Sequence, residues 1–176
     1  MQNKFSDSLL NKSSLLWHVI YTRGRYEKRI AEQITEQGIE IFFPLVKQLR
    51  QWKDRKKWVE IPLFPNYIFV KADEKILSEI LHINGVLKSV NSYGKPVTVS
   101  NKQMSSISKL IHETQYPEVE FNLPEIGSDI KIISGPLKGI SGKLMQRKGK
   151  HKICIAIEAI NASILVDIDP KLIKIL

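Results

Sequence analysis

The spacing of apolar residues changes several times along the chain, and each change marks an element. Residues 15–21 (LLWHVIY) are rich in aromatic and β-branched side chains and stop before Thr22-Arg23-Gly24-Arg25, which predicts a strand and a turn. Over residues 26–37 the period becomes helical. Tyr26, Ile30, Ile34 and Gln37 share one stripe, Ala31 widens it, Glu27, Lys28, Glu32 and Glu36 take the opposite face, and Gly38 supplies the stop. Residues 39–45 alternate Ile39, Ile41 and Phe43 against Glu40 and Phe42, a second strand that Pro44 bends or closes. Residues 46–62 interleave apolar and charged side chains around Lys53-Asp54-Arg55-Lys56, as a projecting hairpin with a basic tip does.

The next stretch, Leu63-Phe64-Pro65-Asn66-Tyr67-Ile68-Phe69-Val70, is a proline-bent entry into a strand that is apolar on both faces. Alternate side chains point to opposite sides, so Ile68 and Val70 share one face and Tyr67 and Phe69 the other. Either a second layer covers the two rings or they form an exposed aromatic patch that awaits a partner. A helix over residues 74–82 follows, capped at Asp73 and apolar at Ile76, Leu77, Ile80 and Leu81, and Asn84-Gly85 breaks it. Residues 86–91 return as a strand, residues 92–96 turn, residues 97–99 pair back, and Ser100 or Asn101 caps a short helix through Ile107, Leu110 and Ile111. The order β, α, β, hairpin, β, α, β is the split β-α-β plan of an α+β domain, an open antiparallel sheet with helices on one face. On that plan the helices cover Ile68 and Val70, while Tyr67 and Phe69 lie on the uncovered side.

Residues 113–124 show no sustained period and contain Pro117 and Pro124, so they read as a linker. Beyond them, residues 129–133, 140–146, 152–157, 164–168 and 172–176 are short strands at the spacing of a small all-β barrel. The expected organisation is a mobile tail over 1–14, a first domain over 15–112, a linker over 113–124 and a five-stranded barrel over 125–176.

Charge changes the picture next. Lys and Arg number 27 against 18 Asp and Glu, a net +9 that favours polyanionic partners. The basic residues gather at Arg23, Arg25, Lys28 and Arg29, over residues 50–57, and at Arg147, Lys148, Lys150 and Lys152. The single Cys154 excludes an intramolecular disulfide and fits a reducing, cytoplasmic setting, and no apolar run approaches the roughly 20 residues a spanning helix needs. Catalysis finds no constellation. His18, His82, His112 and His151 are scattered, with no metal-ligand spacing, and no acid-base pair stands out, so neither an enzyme nor a cofactor or metal is expected.

Residues 134–142 (SGPLKGISG) contain Gly135, Pro136, Gly139 and Gly142. They lack the Gly-x4-Gly-Lys-Ser/Thr spacing of a phosphate loop, since Gly142-Lys143 runs on into strand-like sequence. The segment resembles the KOW motif of small SH3-like barrels. Together with Trp17-His18-Val19-Ile20-Tyr21, Arg25-Tyr26-Glu27, Phe43-Pro44, residues 63–70, Gly85-Val86 and Gly94-Lys95-Pro96-Val97, it makes the chain resemble the NusG family of transcription elongation factors from about residue 16 to 176. Asn66, where most members have glycine, and the wording of residues 50–57 are closer to the specialised paralogues of the RfaH and UpxY type.

That resemblance implies a processivity and antitermination factor, monomeric, whose first domain grips the clamp helices of the largest RNA polymerase subunit. Tyr67 and Phe69 match aromatic positions used there, and Pro65 and Trp17 lie beside them. It implies contact of Arg23, Arg25, Lys28, Arg29 and Asn84 with the non-template DNA strand, and of Ile160 in the barrel with ribosomal protein S10. Asn84 stands where RfaH has arginine and Ser78-Glu79 replaces its His-Thr-Thr element, so the gate-loop contact and the DNA specificity of RfaH are not implied. Three other readings stay open: a ribosome-associated KOW protein that binds RNA, a housekeeping NusG, and an RRM-like RNA binder with stacking rings on an open sheet.

Overall fold

The computed structural model describes residues 15–51, 54–114, 117–123, 127–147 and 149–176. The chain divides into two compact units, Met1–Asn101 and Lys102–Leu176. The expected tail, Trp52 and Lys53 of the hairpin tip, parts of the expected linker, and Lys148 lie outside the described residues.

The first unit follows from its alternating strands. Its elements are β1 (Leu16–Thr22), α1 (Glu27–Glu36), β2 (Ile41–Phe42), β3 (Leu45–Gln51), β4 (Lys56–Pro62), β5 (Tyr67–Ala72), α2 (Glu74–Ile80), β6 (Val86–Ser89), β7 (Asn91–Ser92), β8 (Lys95–Pro96) and β9 (Thr98–Val99). The sheet runs β2-β5-β1-β6, antiparallel throughout, with β9 also pairing with β1. Strand β5 faces β1 in the register Ile20 to Ile68, Val19 to Phe69 and Tyr21 to Tyr67. Because side chains alternate, Ile20, Ile68, Val70 and Ala72 fall on one face, where Ile30, Ala31 and Ile34 of α1 and Ile76, Leu77 and Ile80 of α2 close a single core with them. The helix limits have local causes. Gly38 turns the chain after α1 with φ +77°, and the Asp73 carboxylate accepts the Ile76 N–H at 2.8 Å to cap α2. Strands β3 and β4 pair over Leu45–Gln51 and Lys56–Pro62 as the expected two-stranded ribbon.

The opposite face departs from expectation. Phe69 is fully enclosed, Val19 with it, and Trp17 is 7% exposed. The register places Phe42 of β2 opposite Phe69, and the turn before β5 brings Phe64 in as well; both rings meet Phe69 edge-to-face, at 6.0 and 5.7 Å between centroids. The centre of this face is an aromatic core, the first of the two alternatives the two-faced strand posed, and Tyr21 and Tyr67 at one end stay half-buried.

The second unit begins earlier than the chain order indicates. Helix α3 (Asn101–Glu113) buries Met104, Ile107 and Leu110, and from it Gln103 Nε2 donates to the Ala156 carbonyl at 3.0 Å and Lys109 Nζ to the Lys138 carbonyl at 3.3 Å. Then come β10 (Glu118–Glu120), β11 (Ser128–Ile132), β12 (Ser141–Arg147), β13 (Lys150–Ile157), β14 (Ala162–Asp167) and β15 (Ile173–Ile175), an antiparallel sheet in the order β10-β14-β13-β12-β11-β15. The five later strands match the expected ones closely. Strand β10 arises inside the stretch expected as a linker; three residues are too short for a period to register, and pairing with β14 decides them.

Candidate functional site

Three chain segments meet at the end of the first sheet where β1 finishes and β5 and β6 begin. Asn66, with φ +68° in the left-handed region that asparagine tolerates, turns the chain into β5. Its carbonyl accepts from Thr22 N at 2.8 Å and from Thr22 Oγ1 at 3.2 Å, and its own N–H donates to Glu27 Oε1 at 3.1 Å. Arg23 N donates to the Gly85 carbonyl at 2.8 Å, and Tyr26 packs so closely on Gly85 that a Cβ there would lie 2.6 Å from the ring. Loop, turn and helix start thus form one hydrogen-bonded knot.

Arg23, Arg25, Lys28, Arg29 and Asn84 all sit exposed around this knot, so the fold places Asn84 beside the first of the three basic clusters in the sequence. Arg23 lies over the Tyr26 ring at 5.6 Å, and Arg25 takes φ +70°. Lys28 approaches Glu60 at 4.0 Å with both side chains 53% exposed, an ion pair of little worth. Beside the knot, Tyr21 and Tyr67 meet edge-to-face at 5.2 Å, and Lys88 stands 5.9 Å from the Tyr21 ring. Burial, and then the neighbouring Tyr21, push the Tyr67 hydroxyl pKa above its usual range.

Of the residues expected to form an aromatic contact surface, Tyr67 and Pro65 keep accessible area. Phe69 does not, for the packing reason given above, and Trp17 is held inward with Lys71 Nζ 5.6 Å from its ring while Lys71 pairs with Glu40 at 2.9 Å. Ile160, expected as an apolar loop contact, is 6% exposed and lies in the 3-10 turn Glu158–Ile160, which ends on Asn161 at φ +49°. Glu27, assigned by period to the solvated face of α1, is buried, since accepting the Asn66 N–H draws it under the turn.

The glycine-rich segment connects β11 to β12. Gly135 and Gly139 take φ +79° and +93°, and Gly142 has no room for a side chain, because a Cβ would lie 2.5 Å from the Cys154 carbonyl across the sheet. Of the expected basic cluster on β12 and β13, Lys150 and Lys152 are ion-paired. Lys152, almost wholly buried, binds Asp167 at 2.8 Å and Glu118 at 3.0 Å, and Lys150 adds a second contact to Asp167 at 3.1 Å.

Sequence reasoning missed Thr22, Glu27, Tyr21 and Lys88 as members of the site. A signal existed for the knot alone: asparagine is one of the few residues that readily take a left-handed turn, and such a turn needs partners for its peptide groups.

Among described residues no group of His, Cys, Asp and Glu is arranged to hold a metal ion, and no helix is long and apolar enough to cross a membrane.

Comparison with known proteins gives this geometry a family. The family model for NusG, described as transcription termination factor nusG, matches residues 15–108, more than half of the 176 residues. Among solved structures, one titled "Domain interaction in Thermotoga maritima NusG" superposes with a TM-score of 0.51 at 21% identity, covering 94% of this chain and 99% of that one, a likeness of fold. The matched span contains the whole split β-α-β sheet, the knot and the tyrosine pair, and the chain belongs to the NusG family of transcription factors.

Proposed function

We propose that this protein is a specialised transcription elongation and antitermination factor that binds the clamp helices of the largest RNA polymerase subunit and suppresses pausing and termination, on particular long operons. The family match over residues 15–108 carries this reading. The Tyr21–Tyr67 pair, with Pro65 and Lys88 beside it, offers a half-buried aromatic contact of the kind that anchors protein interfaces. Support for the non-template DNA strand as a second partner is the exposed set Arg23, Arg25, Lys28, Arg29 and Asn84, because guanidinium groups bind phosphates and stack on unpaired bases. Residues 125–176 are proposed to close as a KOW barrel, supported by five antiparallel strands in succession and by glycine geometry at 135, 139 and 142. The specialised type rests on Asn66 and the basic ribbon. Ribosomal protein S10 as a partner rests on family resemblance alone, since Ile160 is buried.

The deciding experiment is capture of isolated clamp helices by the full chain and by Tyr67→Ala and Tyr21→Ala. Each variant is expected to lose about tenfold or more in affinity, as removal of an aromatic anchor does. Equal capture by wild type and both variants overturns the contact, and co-sedimentation with ribosomes in place of polymerase moves the protein to the ribosome-associated class. Phe69→Ala is the wrong probe because it would open the core.

A further inference from the structure

We infer that Glu27 and Asn66 are positioning residues, which hold the basic loop and helix start over residues 23–29 against the turn that launches Tyr67, so that one rigid edge presents both the phosphate-binding cations and the aromatic contact. The inference rests on the nucleic-acid reading above and deepens it.

Asn66 is bonded on both sides of its backbone to the two ends of the same loop. Its carbonyl holds Thr22, where the loop leaves β1, and its N–H is held by Glu27, where the loop enters α1. Between these anchors Arg23 is pinned through its N–H to Gly85, and Tyr26 is wedged on the same glycine. A glycine-containing loop with two arginines would otherwise lose much conformational freedom on binding a phosphate chain, and an ordered loop has already met that cost. Asn66 is also the residue immediately before Tyr67, so the same bonds fix the start of the strand that carries the ring.

The charge of Glu27 makes the inference testable by sign. A carboxylate among Arg23, Arg25, Lys28 and Arg29 opposes binding of a polyanion, so by Coulomb interaction alone its removal must strengthen binding. Positioning demands the reverse when the acceptor is lost and no loss when it is kept.

The probe is a fluorescein-labelled oligothymidylate titrated with the full-length chain at several salt concentrations, with thermal melts of each variant run alongside. Glu27→Gln, which loses the charge and keeps an acceptor for Asn66 N–H, is expected to bind at least as tightly as wild type. Glu27→Ala is expected to bind about threefold or more weakly. Tighter or unchanged binding by Glu27→Ala overturns the inference, as does weakening by Glu27→Gln equal to that of alanine. Should Glu27→Ala show no cooperative melt, Thr22→Val decides; it changes no charge and removes one of the two donors to the Asn66 carbonyl. Weaker binding by that variant supports positioning and unchanged binding overturns it. Arg25→Ala and Arg29→Ala separate the two readings. If they weaken binding and Glu27→Ala does not, positioning alone falls; if the wild type does not bind, or these variants bind as it does, the nucleic-acid reading falls and takes the inference with it.

Discussion

Phe69 and Tyr67 stand two residues apart on one face of one strand and have different fates, because burial at a residue depends on its cross-strand neighbours as much as on pleat. Opposite Phe69 lies Phe42, and Phe64 closes the third side; opposite Tyr67 lies Tyr21 at the sheet's end. Truncation should separate them. Phe69→Ala is expected to cost about 3–5 kcal/mol, the range for a buried phenylalanine, whereas Tyr67→Phe should cost less than about 1 kcal/mol, read from urea midpoints. If Phe69→Ala unfolds at the wild-type midpoint, the aromatic core described here is not the one in solution. Asn66 teaches the same lesson in backbone form. Its φ of +68° is a left-handed turn that the asparagine permits, and its bonds to Thr22 and Glu27, distant in sequence, decide it.

Among elements, the pairing of β10 with β14 was the least visible in sequence, and one side chain bridges the two strands. Lys152 of β13 reaches Glu118 of β10 and Asp167 of β14, crossing three strands with one ammonium. The Asp167 and Glu118 hydrogen bonds raise the Lys152 pKa against a smaller opposing effect of burial, and the two lysines hold the Asp167 carboxyl below its usual range. Lys152→Ala strips Glu118 of this ion pair and leaves Asp167 with Lys150 alone, and it is expected to cost about 1–2 kcal/mol near neutral pH, because both acids left behind are more than half exposed. Below the carboxylate range the difference between wild type and variant should shrink; a gap that stays constant with pH would mean that Lys152 acts through its aliphatic stem alone.

At the scale of the whole molecule, stability against pH combines groups whose signs must be taken separately. His18, 5% exposed in β1, has its pKa lowered chiefly by burial, against opposing effects of a hydrogen bond to the Ala72 backbone and the charge of Glu74. The unfolded chain therefore binds the proton first. The stability His18 contributes is present above about pH 6.5 and is lost as pH falls from there through its lowered folded value. Asp167 acts in the same direction at lower pH, from about 3.9 downward, and Lys152 loses its contribution as pH rises above about 10.4. Replacing His18 with glutamine is expected to flatten the fall in urea midpoint between about pH 7 and pH 5; an unchanged slope would assign that limb to other groups.

The periods of hydrophobicity by themselves determined most of the order of elements, the aliphatic face under α1 and α2, the ribbon at β3 and β4, and the strands of the second unit, because alternation and helical spacing are local properties that packing seldom overrides when one face must be buried; the family was legible separately, through the resemblance of its motifs. Glycines and an asparagine at turns were legible for the same reason. Only the tertiary structure decided that the aromatic face closes over Phe69 while leaving Tyr21 and Tyr67 accessible, that residues 118–120 become a strand, that Lys152 is neutralised, and that Glu27 turns inward to join Asn66. Each of these depends on a partner far away in sequence, and the identity of such a partner is not carried by the residues on either side.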